Sequence, residues 1–249
     1  MSSNACLPLL LDGPMQSWGH ASRFERRTTA LHPTRSGILG LIAAAVGIDK
    51  HTADEVAQLA RFNALLVTTL SLPRCRRRAP ELLMQRLEDY HTVTGIRRAS
   101  GKVDDEATVQ TYRHYLLDAR FGVLLEGPSP LLEEIAAALR NPKWGVWLGR
   151  KCCLPATPLL VAPPGDRAAV WSALIQRAGY SGTETEEQFD RVLEVAATDP
   201  GADMIEDAPV AFGALIGERH APRWIRREPK SGIERASPSA SRNETVDPA

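Results

Sequence analysis

Apolar residues along the chain fall into short runs separated by polar, Gly-marked or Pro-marked breaks, and the period of each run predicts its element. Leu7 to Asp12, LPLLLD, is short and unbroken, a strand closed by the turn pair Gly13-Pro14. Pro33 to Gly47 is small and apolar over its second half and predicts a helix, with Thr34 or Ser36 as N-cap and Gly47 at its end. TADEVAQLARF predicts a second helix, in which Thr52 and Glu55 are spaced as a capping box. The β-branched ALLVTTLSL is a strand that stops at Pro73 and an arginine run.

Between Arg76 and Thr111 the periodicity fades into basic, polar and turn residues, which predicts a projecting, hairpin-like arm with no core face. The second half of YRHYLLDARFGVLLEG is a strand, and SPLLEEIAAALRNP places Leu131, Leu132, Ile135, Ala136 and Leu139 at helical spacing behind Ser129-Pro130. PKWGVWLGRKCCLPATPLL is a punctuated loop leading into a strand. Beyond residue 162 the pattern supports one short helix at RAAVWSALIQRAG and one or two strands around APVAFGALI. The order strand, helix, strand, arm, strand, helix predicts an α+β class and a β-α-β-β-α-β plan, ferredoxin-like and RRM-like, with one connection enlarged. The domain expected is 1–228, with the insertion at 76–111 and a smaller β-containing C-terminal region at 161–228. Residues 229–249, rich in Ser, Pro and charge, predict a disordered tail.

Composition adds bounds to that plan. A chain of 249 residues with 43% hydrophobic residues buries a full core, as one large domain or one and a half. With no apolar run long enough for a bilayer and no leader-like start, a cytoplasmic protein without membrane contact is expected. The four cysteines, Cys6, Cys75, Cys152 and Cys153, have no zinc spacing, so reduced thiols and no metal or cofactor are expected. Net charge is zero, yet arginines cluster in RFERR, RCRRR, IRRASGK, GRK and RWIRREPK, while acids cluster in TETEEQFDRVLE and DPGADMIED. Segregated in the fold, these blocks would form one basic and one acidic face, and the basic one would suit a polyanion.

Several clusters carry candidate chemistry. PTRSG at the start of the Pro33 helix offers the hydroxyls of Thr34 and Ser36, the guanidinium of Arg35 and bare backbone at Gly37, a set suited to a phosphate at a helix N-terminus; simple capping uses the same residues. Its spacing is not that of a nucleotide P-loop. GPMQSWGH puts Gln16, Ser17, Trp18 and His20 after the first strand, where amide and indole suit either a base or the core. Tyr90 and His91 lie on the arm, and TYRHYL alternates Tyr112 and His114 with Arg113 and Tyr115, an aromatic face and a basic one. Interleaved cations and aromatics suit single-stranded RNA. The same histidines and Tyr90 would serve metal-independent RNA cleavage, although their spacing does not fix them together and no catalytic residue is assigned.

LLLDGPMQSWG, HPTRSGILGLIAAAVGI, LEDYHTVTG, TVQTYRHYLLDARF and WLGRKCCLPATPL, in this order, resemble the CasD-like subunits of Cascade, the type I-E CRISPR surveillance complex. The resemblance runs from Leu7 to Leu160 and more faintly through GERHAPRWIRREP; the TETEEQFDRVLEVA block and the chain after Pro229 depart from it. It implies a RAMP-type ferredoxin-like fold with a thumb at 76–111. It further implies binding of the 5′ handle of a CRISPR RNA, contact with the backbone and large subunits, target DNA nearby, and no catalysis, although a relative in another CRISPR branch cuts the precursor. Thr34, Arg35, Ser36 and Gly37 would then hold handle phosphates, and Gln16, Trp18, Gly149, Arg150 and Lys151 would cradle bases. Tyr90, His91 and Arg97 would kink the strand, with Arg113 on the basic face beside them. Three classes follow: an RNA-binding assembly subunit, a metal-independent endoribonuclease of repeat RNA, and a bridge whose basic blocks bind acidic partner subunits.

Overall fold

The structure, a computed structural model, describes residues 4–19, 25–74, 84–97, 103–213 and 217–231, with backbone alone at 96, 97 and 103–107. Its centre is a six-stranded, wholly antiparallel sheet. β1 (Asn4–Asp12) pairs with β7 (Arg120–Pro128), β7 with β4 (Leu66–Ser71), and β4 with β8 (Arg191–Glu194). β10 (Arg219–Glu228) and β9 (Asp203–Ala211) complete the order β1-β7-β4-β8-β10-β9. The C-terminal strands therefore extend the first sheet. Beyond β1, the segment 159–165 adds antiparallel bridges at Leu9 to Leu160 and Cys6 to Gly165.

Both faces of this sheet are covered, which explains the unbroken apolar run of β1. Leu7, Leu9 and Leu11 pack in one cluster with α1 (Arg35–Val46) and α3 (Ser129–Arg140), through Ile38, Ile42, Leu132 and Ile135. Cys6 and Leu10 pack in the other with α4 (Arg167–Arg177), through Val170, Trp171, Leu174 and Ile175. The amphipathic α3 turns Leu131, Leu132, Ile135 and Ala136 inward, as its spacing predicts. α1 starts one residue after Thr34, whose Oγ1 accepts from the Gly37 N–H at 3.2 Å, and ends at Gly47 with φ 88°. The fold also contains β8, which the acidic stretch around it hides in the sequence.

The second helix departs from expectation. α2 spans only Glu55–Ala60, and Thr52 makes no capping box with Glu55: the Thr52 hydroxyl donates to the Asp49 carbonyl at 2.9 Å. Glu55 is buried and accepts from the Phe212 N–H at 2.6 Å, a tertiary bond that displaces the local one.

The segment read as an arm is a long antiparallel hairpin, β5 (Gln85–Arg97) with β6 (Val103–Leu117), in register from Gln85–Leu117 to Arg97–Val103. Its alternating Thr, Val and Tyr suit strands. β6 does not end at Thr111 but runs into the body, where Tyr115 and Leu116 are buried, and turns into β7 at Asp118 with φ 50°. Along its other edge β6 pairs with β2 (Met15–Gln16) antiparallel and with β3 (Arg26–Arg27) parallel. Residues 76–83 and 98–102 of the expected arm, Cys75 and the chain from 232 to 249 lie outside the described residues. Of the expected tail, Lys230 and Ser231 are tied down: their N–H groups donate to Asp190 and to the Glu187 carbonyl.

Candidate nucleic-acid interface

The start of α1 is closed from within. Arg35 is 5% exposed; its Nη1 donates to Glu194 at 2.7 Å and to the Leu65 carbonyl at 3.0 Å, and its Nη2 to the Phe62 carbonyl at 2.9 Å. Its backbone N–H, one of the donors that a helix start leaves unpaired, goes to Asp207 at 2.8 Å. Arg223 completes the hub, donating to Glu194 at 2.9 Å and to both oxygens of Asp207. Burial alone would raise the Asp207 pKa, but hydrogen bonds and charge from Arg223, with the Arg35 N–H, hold it below its ordinary value. Beside them, burial lowers the His32 pKa, and the Arg227 and Arg223 charges add to that shift. A carboxylate thus occupies the place expected for a phosphate, and the Arg35 guanidinium is buried against Glu194 and the Leu65 and Phe62 carbonyls. Thr34 is a cap, Ser36 lies 3.3 Å from its hydroxyl, and Gly37 serves packing, because a Cβ there would meet the Trp18 ring at 2.7 Å.

Trp18 and Gln16 are core residues as well, each 0% exposed. The Trp18 indole N–H donates to Gln16 Oε1 at 3.1 Å, and Gln16 Nε2 donates to the carbonyls of Leu11 at 3.0 Å and Ala119 at 2.7 Å. Every polar atom of the pair is satisfied inside, so neither side chain is placed to stack on or read a base.

Among the described residues, which exclude residues 75–78 of RCRRR and the side chains of IRRASGK, charge is not segregated into a basic and an acidic face. The acids of the 183–207 stretch fold back on arginines: Glu186 on Arg167, Glu187 on Arg191, Asp199 on Arg226 and Asp203 on Arg227. The RWIRRE arginines are neutralised where they stand. Around β3, β6 and the loop after Trp147, Arg27, Arg113, Arg150 and Lys151 form no ion pair with a carboxylate among the described residues.

Gly149 builds that loop. Its φ of 92° and its approach to the Ser17 carbonyl, which a Cβ would meet at 1.7 Å, leave no room for a side chain. The turn presents Arg150, whose Nη2 donates to the Arg27 carbonyl at 2.9 Å and whose guanidinium lies 4.8 Å from the centre of the Tyr115 ring. Arg27 is the register partner of Arg113, whose Nε donates to Thr111 Oγ1 at 3.3 Å. Arg27, Arg113, Tyr115 and Arg150 therefore share one face of the hairpin base, with Lys151 next along the turn at 5.9 Å from the Trp147 ring. Asp89, opposite Arg113, is an acid on this face.

The other face carries Tyr90 opposite Tyr112, ring centres 5.4 Å apart, with Arg26 4.9 Å from the Tyr112 ring and Glu88 bonded to His114 Nε2 at 2.6 Å. Each face thus holds cations and aromatics together, where an aromatic face and a basic one were expected. His91 points with Thr111 to the first face and His114 with Tyr112 to the second, so the sheet separates the two histidines of the cleavage reading. Arg97 pairs through its backbone with Val103, and its side chain lies outside the described residues. Arg26, Arg27 and Tyr115 join these groups as residues that no motif assigns to a site; the RFERR and TYRHYL patterns are their only signals in the sequence.

Cys6 and Cys153 are buried, and burial, with Glu126 near the first and Cys152 near the second, pushes each thiol up to about 12; Cys152 is exposed. Among the described residues no group of three or more His, Cys, Asp or Glu is arranged to hold a metal ion, and no helix is long and apolar enough to cross a membrane.

Residues 6–212 match the family model described as CRISPR-associated protein (Cas_Cas5). The CRISPR system Cascade subunit CasD of Escherichia coli (strain K12) is 35% identical over 158 residues, 62% of this chain and 69% of that protein. A chain of a CRISPR RNA-guided surveillance complex superposes with TM-score 0.68 and 29% identity, over 90% of each chain. A solved Cas protein superposes with TM-score 0.55 and 28% identity, over 90% of this chain and 95% of that one.

Proposed function

Since the chain belongs to the Cas5 family of CRISPR-associated proteins, we propose that it is an RNA-binding subunit of a type I-E Cascade, seated on the 5′ handle of the CRISPR RNA. The observation that carries this reading is the cluster of Arg27, Arg113, Arg150 and Lys151 on one face of the hairpin base, with Arg150 held over the buried Tyr115 ring: several cations placed together for phosphates. The reading places the chain at the handle end of the assembly, against backbone and large subunits and near target DNA, in the cytoplasm.

On the same reading the fold is ferredoxin-like with a thumb. Supporting it are the order β1-β7-β4, the antiparallel bridging of 159–165 along β1 in place of a fourth strand, and the β5–β6 hairpin between β4 and β7. The chain acts as a binder and not as a nuclease, in keeping with His91 and His114 on opposite faces. Incubating the pure protein with labelled repeat RNA in EDTA tests this: the RNA should be bound and recovered intact, whereas cleavage at one site would replace the reading with a metal-independent endoribonuclease.

A further inference from the structure

The proposed handle contacts lie on one face of the hairpin and leave the opposite face unused. There Tyr90 stands 53% exposed, a large ring half in solvent on a strand. Its neighbours are ordered. Tyr112 sits directly across at 5.4 Å, the planes inclined by 51°, and Arg26 covers Tyr112 from the β3 side at 4.9 Å. Tyr112 is further fixed by its N–H, which donates to the Glu25 carbonyl at 2.7 Å. Along the strand direction the same face continues through Thr92 opposite Gln110, exposed and uncharged, and toward the body Glu88 is engaged by His114.

We propose that Tyr90, braced by Tyr112 and charged by Arg26, is a stacking platform for one unpaired base of a single nucleic-acid strand. The inference rests on the reading that a strand binds at the hairpin base. A cross-strand tyrosine pair stabilises a hairpin on its own account, but that role does not require a guanidinium on the far ring or an outer ring left half in solvent. The three side chains together provide a flat apolar surface for a base, with a cation on the same side for the phosphate that follows it. Stacking of this kind reads neither base identity nor the 2′-hydroxyl, so the platform takes RNA or DNA and any base, provided the base is splayed from its neighbours.

The test places 2-aminopurine at successive positions of a handle-plus-spacer oligoribonucleotide and of its deoxyribonucleotide counterpart, and records fluorescence and anisotropy with the full chain. One position should be quenched on binding in both oligonucleotides. Tyr90→Leu should remove that quench and weaken binding roughly five- to a hundredfold, the usual worth of one stacked base. Tyr90→Phe should keep both, and Arg26→Gln should lower affinity while leaving the quench. If the strand binds with no position quenched, or if the quench survives Tyr90→Leu, the platform is wrong and Tyr90 is left to a protein neighbour. The handle reading stands or falls separately, on whether Arg150→Ala with Lys151→Ala reduces the anisotropy-measured affinity.

Discussion

Arg35 joins the first helix to the last three strands through two carboxylates that lie 159 and 172 residues away in sequence. Removing one partner of such a hub leaves a buried charge uncompensated, so Glu194→Leu should cost about 3–5 kcal/mol in chemical denaturation. Arg35→Ala should likewise lower the melting temperature, and any loss of RNA binding it causes should track the unfolded fraction. His32 gives the hub a pH dependence. Its folded pKa lies below the ordinary 6.5, so as pH falls past that value the unfolded chain takes up the proton first and the native state loses stability; Asp207 adds the same sign below its ordinary 3.8. The melting temperature should therefore fall between about pH 7.5 and about 5.5, and the fall should shrink in His32→Asn. At this scale the sequence left two readings open for a definite reason: a guanidinium beside a helix N-cap looks the same whether its anion is a bound phosphate or a carboxylate delivered by a distant strand. Trp18 and Gln16 stay open in the same way, because their partners Leu11, Ala119 and Gly37 become neighbours only once β1, β7 and α1 have packed.

Elements were more legible than tertiary pairings. The covered strand β1, the capped α1, the amphipathic α3 and the hairpin all follow from patterns of period and turn chemistry that act locally. α2 forms inside the expected span, but its capping box gives way to a tertiary bond from Phe212, and β8 was missed because its ladder partners, Thr69 and Leu70 on one side and β10 on the other, come from far along the chain. The loop at Gly149 is the element on which the candidate interface depends. Gly149→Ala would put a Cβ into the Ser17 carbonyl at a φ that an L-residue rarely adopts, so it should both destabilise the fold and displace Arg150 and Lys151. Handle-RNA affinity should fall in that variant by more than its drop in melting temperature accounts for. Thiol chemistry marks the same turn: on native alkylation Cys152 should label quickly, while Cys6 and Cys153, buried and pushed up to about 12, should label only on unfolding.

Across the described residues, the C-terminal arginines pair locally with the acidic stretch before them, while Arg27, Arg113, Arg150 and Lys151 at the hairpin base form no such ion pair. Block composition showed that cations were clustered, but only the fold decides which clusters are cancelled. The central claim is that Arg27, Arg113, Arg150 and Lys151 face the phosphates of handle RNA and the RWIRRE arginines do not. Its most direct test is the slope of log binding constant against log salt for a handle oligoribonucleotide. The wild-type slope should become shallower by about 0.7 for each phosphate that is no longer neutralised, hence by about 1.4 in Arg150→Ala with Lys151→Ala, and stay unchanged in Arg226→Ala with Arg227→Ala. An unchanged slope in the first double variant, or a shallower one in the second alone, would contradict the assignment.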